Sequence, residues 1–171
     1  MTTYTLDGIN AFDRTVFVAA FGDVFEHSPW VAERAWEERP FGGVDGLHRA
    51  MVRAMEAATP IEQLALIRAH PQLAGKAAIA GTLTAASASE QRGAGLDQCS
   101  PEEFARLHAF NTAYEDKFGF PFIIAVRGHT RATILSEMQR RLSHGIDEEH
   151  AEALRQIARI ARFRLDDRVA S

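Results

Sequence analysis

Helix-start signals recur along this chain and constrain its fold more than any other feature. Residues 59–62 (TPIE) and 100–103 (SPEE) both place a hydroxyl three positions before a glutamate, with proline directly after the hydroxyl. The hydroxyl and the carboxylate of such a capping box satisfy free backbone N–H groups at a helix N-terminus. Proline is favoured at the first helical position because the N–H that it lacks would have no intrahelical partner. The sequence therefore predicts helices that begin at residues 60 and 101.

Cap and spacing signals predict helices along the rest of the chain as well. Asn10 is the expected N-cap of a helix that reaches Val24. Ser28 is the expected N-cap of the next helix, which ends before Pro40. Further helices are predicted over about 45–58, 130–145 and 147–167.

One apolar segment does not fit the helical pattern. Residues 120–128 (FPFIIAVRG) are short, apolar and bounded by Pro121 and Gly128, and no second segment looks like a partner strand. We therefore expect a buried extended connector near 120–127. The predicted fold is an all-α, single-domain bundle of about seven to nine helices over residues 1–171.

The composition excludes several classes of function. The chain has 171 residues, of which 46% are hydrophobic, and a net charge of −4, so we expect neither nucleic acid nor a membrane as its partner. Cys99 is the only cysteine, which rules out an intrachain disulfide, and no Cys/His set has the spacing of a metal site. We interpret Cys99 as an incidental thiol. The chain shows no signal-peptide pattern and no peroxisomal tripeptide, so the expected location is the cytoplasm.

The segment from His70 to Gly95 is the part that local structure rules explain least. His70 lies between a predicted helix and Pro71, and histidine titrates near neutrality, as proton transfer requires. An ordinary structural histidine is the alternative interpretation. Ser87 and Glu90 have the spacing of another capping box, although glycines follow within two turns. A short helix whose exposed N-terminus binds an anion is the alternative here.

Arg164 is expected to point inward from the last helix. At about 100° per residue it falls within about 20° of Ile157, on the apolar face. A buried guanidinium needs a carboxylate, carbonyl groups or an anionic ligand around it. Arg164 is therefore either the partner of an internal acid or the wall of a site for a carboxylate.

Five segments of the chain together resemble one enzyme family. They are "FEHSPWVAERA", "HPQLAGK", "SASEQRGAGLD", "FNTAYEDKFGFPFIIAVRGHT" and "IARFRLDDRV". In this order and approximate spacing they are similar to the 2-oxo-4-hydroxy-4-carboxy-5-ureidoimidazoline (OHCU) decarboxylases of urate breakdown, over nearly the whole chain. The resemblance implies an all-helical, cofactor-free carboxy-lyase, typically a homodimer, that converts OHCU to (S)-allantoin and carbon dioxide.

The resemblance also implies roles for individual residues. His70 becomes the catalytic acid and Glu90 a substrate contact. On mechanistic grounds we also expect Glu90 to orient either the imidazole or the substrate hydroxyl. Arg164 matches the family's closing Leu-Arg-Leu pattern, with Phe163 in place of the first leucine. The implied substrate contacts are Pro71, Ser87, Gln91, Arg164 and the backbone of Phe122, Ile123, Ile124, Ala125 and Val126.

Two other functions stay open on sequence grounds. A helical enzyme of the same fold could act on another ureido or purine-derived compound, because a fold does not fix a substrate. A non-enzymatic helical binding module would use the same polar residues as caps and ion pairs. Such a module would show an exposed apolar groove instead of an enclosed polar pocket.

Overall fold

The chain folds into α-helices, which confirms the predicted all-α class. The structure, a computed structural model, describes residues 2–171 and contains ten α-helices and one 3₁₀ turn in that range. Within the same range, no helix combines the length and the apolar composition needed to cross a bilayer. The helices are α1 (Leu6–Ala11), α2 (Arg14–Phe21), α3 (Trp30–Trp36), α4 (Val44–Glu56), α5 (Pro60–Ala69), α6 (Lys76–Ala80), α7 (Ala85–Gly93), α8 (Pro101–Phe118), α9 (Arg131–Arg141) and α10 (Ile146–Asp166), with the 3₁₀ turn at Leu96–Gln98.

The predicted capping boxes at α5 and α8 are confirmed. The N–H of Glu62 donates to Thr59 Oγ1 at 3.2 Å, and the Thr59 N–H donates to Glu62 Oε2 at 2.9 Å. The same reciprocal pair joins Ser100 and Glu103 at the start of α8, with distances of 3.0 and 3.1 Å. Thr130 caps α9, as its position predicted. These local signals therefore fix the starts of three helices.

Two predicted N-caps are wrong. The first helical region is divided into α1 and α2, and Asp13 caps α2 by accepting the Val16 N–H at 2.9 Å. Asn10 instead exchanges two hydrogen bonds with the backbone of Phe41, at 2.8 and 3.0 Å. Ser28 does not cap α3, because its hydroxyl donates to the Glu26 carbonyl at 2.8 Å. In each case the polar side chain found a partner outside the helix that it was expected to begin.

The described chain divides into two compact units. Unit 1 consists of the described residues up to Ala69 together with Ala158–Ser171. Its core is aromatic and aliphatic, and the rings of Phe17 and Phe21 pack with centroids 5.2 Å apart. An isolated parallel bridge pairs Tyr4 with Val169.

Unit 2 is His70–Ile157 and contains the extended connector. Residues 121–126 have no helical structure and are all buried, as the sequence predicted. Aromatic rings cover the start of this segment, because Tyr114 of α8 packs edge-on against Phe120 and Phe122 with centroid distances of 5.9 and 5.4 Å. The connector is therefore a core element whose backbone groups need side-chain partners. A single functional domain over residues 1–171 stays a prediction.

Candidate active site

Helix α7 buries polar residues, and this distinguishes it from a helix that only packs. Ser87 and Gln91 are its buried residues, 4% and 6% exposed. Residues three and four positions apart lie on one helix face, so Glu90 belongs to the same face as Ser87. Packing alone fills buried helix faces with apolar side chains, and buried polar groups need partners. The buried face of α7 is therefore a candidate site, and all three residues are ones that the family resemblance implies as site residues.

The capping-box interpretation of Ser87 and Glu90 is wrong. The N-cap of α7 is Thr84, whose hydroxyl accepts the Ser87 N–H at 3.2 Å. Ser87 is thus the third residue of the helix, and Glu90 lies one turn further along. Thr84 and Ser87 are both residue types that cap helices, and the earlier of the two, Thr84, forms the cap. The side chains of Ser87 and Glu90 are consequently not needed to begin the helix.

Gln91 connects α7 to residues 70–75, the turn between α5 and α6 that begins with His70 and is called the His70 turn below. Its Nε2 donates to the Gln72 carbonyl at 3.3 Å, and its Oε1 accepts the Ala74 N–H at 3.0 Å. A side-chain amide has two N–H donors, so one donor of Gln91 is left over for a further partner. The structure therefore brings the His70 turn and the buried face of α7 within hydrogen-bond distance of each other.

His70 is buried at the start of this turn. It directly follows α5 in the chain, is 8% exposed, and precedes Pro71. The turn after it includes Ala74 in the left-handed region, with φ at +50°. Such a conformation costs an L-residue about 1–2 kcal/mol, so it persists only where neighbouring groups hold it. His70 therefore begins a turn whose backbone is constrained at Ala74.

The backbone of the connector is held by two side chains that the sequence analysis missed. Gln156 of α10 accepts the Ala125 N–H at 3.0 Å, and Arg141 of α9 donates to the Ile123 carbonyl at 2.7 Å. The guanidinium of Arg141 also lies over the Phe122 ring, 4.3 Å from its centroid. The spacing that placed Arg164 on an apolar face would have found Arg141 as well, since it follows buried Ile134 and Met138 at helical intervals.

Arg141 belongs to a buried polar network. Glu149 accepts hydrogen bonds from Arg141 Nε at 2.8 Å and from the Tyr114 hydroxyl at 2.5 Å, while His144 Nδ1 lies 2.9 Å from its other oxygen. The side chains of Arg141 and Glu149 are 1% and 0% exposed. Burial and the hydrogen bond to Glu149 raise the pKa of Tyr114 far above its ordinary value. The network therefore fixes a charged pair directly behind the connector.

Arg164 is buried in unit 1, as its position on the last helix predicted. It is 4% exposed, and its guanidinium donates to Glu26 Oε1 at 2.9 Å and to the Val24 carbonyl at 3.2 Å. The structure therefore shows the internal ion pair that was one of its two interpretations. The predicted substrate contact of Arg164 stays a prediction.

A half-open cavity of about 680 Å³ lies beside α6 and α7 in unit 2. Gln91 and Ala74 are part of its lining, together with apolar residues such as Leu83 and Leu96. Cys99 lines it too, and burial, followed by the nearby Glu103 carboxylate, raises the pKa of the thiol. A thiol with a raised pKa stays protonated near neutral pH and is a poor nucleophile.

Within residues 2–171, no cluster of three or more His, Cys, Asp or Glu side chains could hold a metal ion.

Comparisons with known proteins point to one family. The family model for OHCU decarboxylase matches residues 10–166. A 2-oxo-4-hydroxy-4-carboxy-5-ureidoimidazoline decarboxylase of Haloferax volcanii is 42% identical over 171 residues, which cover 100% of this chain and 99% of the relative. The corresponding protein of Halalkalicoccus jeotgali is 41% identical over 167 residues, covering 98% and 93%. A crystal structure of (S)-allantoin synthase has a TM-score of 0.77 and 26% identity, and the match covers 97% of this chain and 54% of that one.

Proposed function

This chain belongs to the OHCU decarboxylase family, and on that premise we propose that the His70 turn and the buried face of α7 form its active site. The chain is a carboxy-lyase of urate degradation that converts OHCU to (S)-allantoin and carbon dioxide. The observation that carries the site assignment is the pair of hydrogen bonds between Gln91 and the turn after His70. They connect the turn that begins at buried His70 with the polar face of α7.

The substrate supplies its own electron sink. Its carboxylate is attached to a ring carbon that bears a hydroxyl and lies next to a C=N group. When the bond to the carboxylate breaks, carbon dioxide leaves and the electron pair moves into the ring towards that C=N group, whose nitrogen takes a proton. The hydroxyl then becomes a carbonyl as the adjacent carbon receives a proton. The protein must orient the carboxylate and deliver the proton to one face of that carbon.

His70 is the proton donor in this proposal. Histidine side chains can exchange a proton near neutral pH, and His70 leads into a turn in which Ala74 has a φ of +50°. Glu90 orients the imidazole or receives the hydroxyl proton as the carbonyl forms. Because Thr84 provides the cap of α7, the carboxylate of Glu90 is not required at the helix start. This geometry supports a chemical role for Glu90.

The remaining contacts would surround the ring and the ureido group. The spare N–H of Gln91 is a donor for a substrate oxygen, and the buried hydroxyl of Ser87 lies on the same helix face. Pro71 would pack against the flat ring. The family resemblance also implies contacts from the backbone of residues 122–126 and from the guanidinium of Arg164.

We expect this protein to accelerate the formation of one allantoin enantiomer. Urate is freshly oxidised and hydrolysed to give OHCU. Circular dichroism then follows the formation of allantoin with and without the protein. A dichroic signal of (S)-allantoin that grows in proportion to enzyme concentration is the expected result, because only a positioned proton donor selects one face. Equal and racemic product formation in both samples would contradict the activity and favour another ureido or purine-derived substrate.

We also propose a homodimer that acts in the cytoplasm. Ile79 and Phe104 of unit 2 are 70% and 38% exposed and line the same cavity, and contiguous exposed apolar surface is typical of sites that meet another protein. The free thiol of Cys99 is compatible with a reducing compartment. Light scattering after size exclusion should give twice the 18.9 kDa mass of the chain, and a mass of one chain would contradict the dimer.

A further inference from the structure

Two buried amide side chains hold the turn that carries His70, and one of them has no role in the function described above. Asn111 of α8 is 3% exposed, and its Nδ2 donates to the Leu73 carbonyl at 2.9 Å. Gln91 accepts the Ala74 N–H of the same peptide group and donates to the Gln72 carbonyl of the preceding one. Three consecutive residues of the turn are therefore fixed by side chains from two different helices.

The conformation of this turn depends on such support. Ala74 has a φ of +50°, which alanine rarely adopts. The turn is also tightly closed, because a Cβ atom on Gly75 would lie only 2.7 Å from the Cβ of Gln72. A strained backbone of this kind persists when the surrounding structure over-determines it. The amide of Asn111 is one of the groups that do so.

Asn111 is poorly suited to a purely stabilising role. Its Oδ1 is buried and has no hydrogen-bond partner among the described residues. A buried acceptor without a partner costs stability, and Asn111 offsets that cost only through its bond to the Leu73 carbonyl. The retention of a half-satisfied amide therefore indicates that its single bond, to the Leu73 carbonyl, serves the site.

We propose that Asn111 is a positioning residue for the proton transfer, and that it acts by fixing the backbone on which His70 is mounted. The inference rests on the proposed function, in which His70 delivers the proton. Asn111 itself touches neither substrate nor imidazole in this scheme. When its bond to Leu73 is lost, the turn samples other conformations and the imidazole spends less time at the reacting carbon.

The variant Asn111→Leu tests this inference, because leucine keeps the volume but cannot donate a hydrogen bond. We expect kcat, measured per folded molecule, to fall by about 10- to 100-fold with little change in KM, since misplacement of a reacting group by about 1 Å can cost that much. We also expect the enantiomeric excess of (S)-allantoin to fall, because a mobile imidazole lets water protonate the other face.

Asn10→Leu is the matched control. Asn10 also donates through Nδ2 to a backbone carbonyl, that of Phe41 at 3.0 Å, but it lies in unit 1. Its replacement should lower the unfolding midpoint while leaving kcat per folded molecule and the enantiomeric excess unchanged. If Asn111→Leu does not fold, the same measurements are made on Asn111→Ala, which removes the donor without adding bulk.

The outcomes separate this inference from the proposed function. A wild-type protein that does not accelerate (S)-allantoin formation would overturn the proposed function before any variant is compared. An active wild type whose Asn111 variant matches the Asn10 control in kcat and enantiomeric excess would overturn the positioning role alone. A raised KM with unchanged kcat and enantiomeric excess would also overturn it, because that result indicates direct contact with substrate.

Discussion

Replacing His70 with asparagine is expected to slow enzymatic formation of (S)-allantoin by about 10²–10⁴-fold, the usual contribution of a positioned general acid. Asparagine keeps a polar group close to the ring position but does not exchange a proton near neutral pH. Carbon dioxide would still leave slowly, because the substrate carries its own electron sink, but the product would lose its handedness. Rate and circular dichroism are measured together on the same sample.

The matched control is His108→Asn, the same substitution at an exposed position on α8. This variant should keep the wild-type rate and enantiomeric excess. Both variants should unfold at nearly the same temperature as the wild type, so that a loss of activity in the His70 variant reflects chemistry. A His70 variant with wild-type turnover and stereospecificity would show that another group supplies the proton.

The parts of the fold that sequence reasoning captured depend on short-range physics. Ser100 and Glu103 satisfy each other's backbone groups within one turn, so four letters of sequence determine the start of α8. Asn10 shows where that reasoning ends, because its partner Phe41 lies 31 positions away. The residues that flank Asn10 in the sequence do not predict that partner. Long-range bonds of this kind can only be seen once the chain is folded.

The same limit applies to the candidate site. Helical spacing correctly placed Arg164 on a buried face, but it did not identify Glu26, which precedes it by 138 positions, as the partner. The resemblance selected Gln91 as a site residue, yet its two bonds to the turn after His70 came from the structure. Arg141 was missed although its spacing on α9 matched the same rule. Sequence periodicity thus predicts which side chains are buried. The partner of a buried charge and the side chains that hold the backbone become known only from the folded structure.

Replacing Arg141 with methionine is expected to lower the free energy of unfolding by about 3–5 kcal/mol, because it removes the fully buried guanidinium partner of Glu149 and leaves only the half-buried His144 beside that carboxylate. The Ile123 carbonyl loses its donor at the same time. For a chain of this length such a loss corresponds to a decrease of about 6–20 °C in the unfolding temperature. Urea titration and calorimetry measure the two quantities, and activity at low temperature reports whether the connector has moved.

Arg140→Met provides the comparison on the same helix. Arg140 pairs with Glu137, but these side chains are 53% and 33% exposed, and exposed pairs contribute at most about 1 kcal/mol. The double variant Arg141→Met with Glu149→Leu should regain part of the lost stability, since it removes the uncompensated charge, although the Tyr114 hydroxyl then lacks an acceptor. If Arg141→Met were no more destabilising than Arg140→Met, the buried network could not be what holds the connector in place.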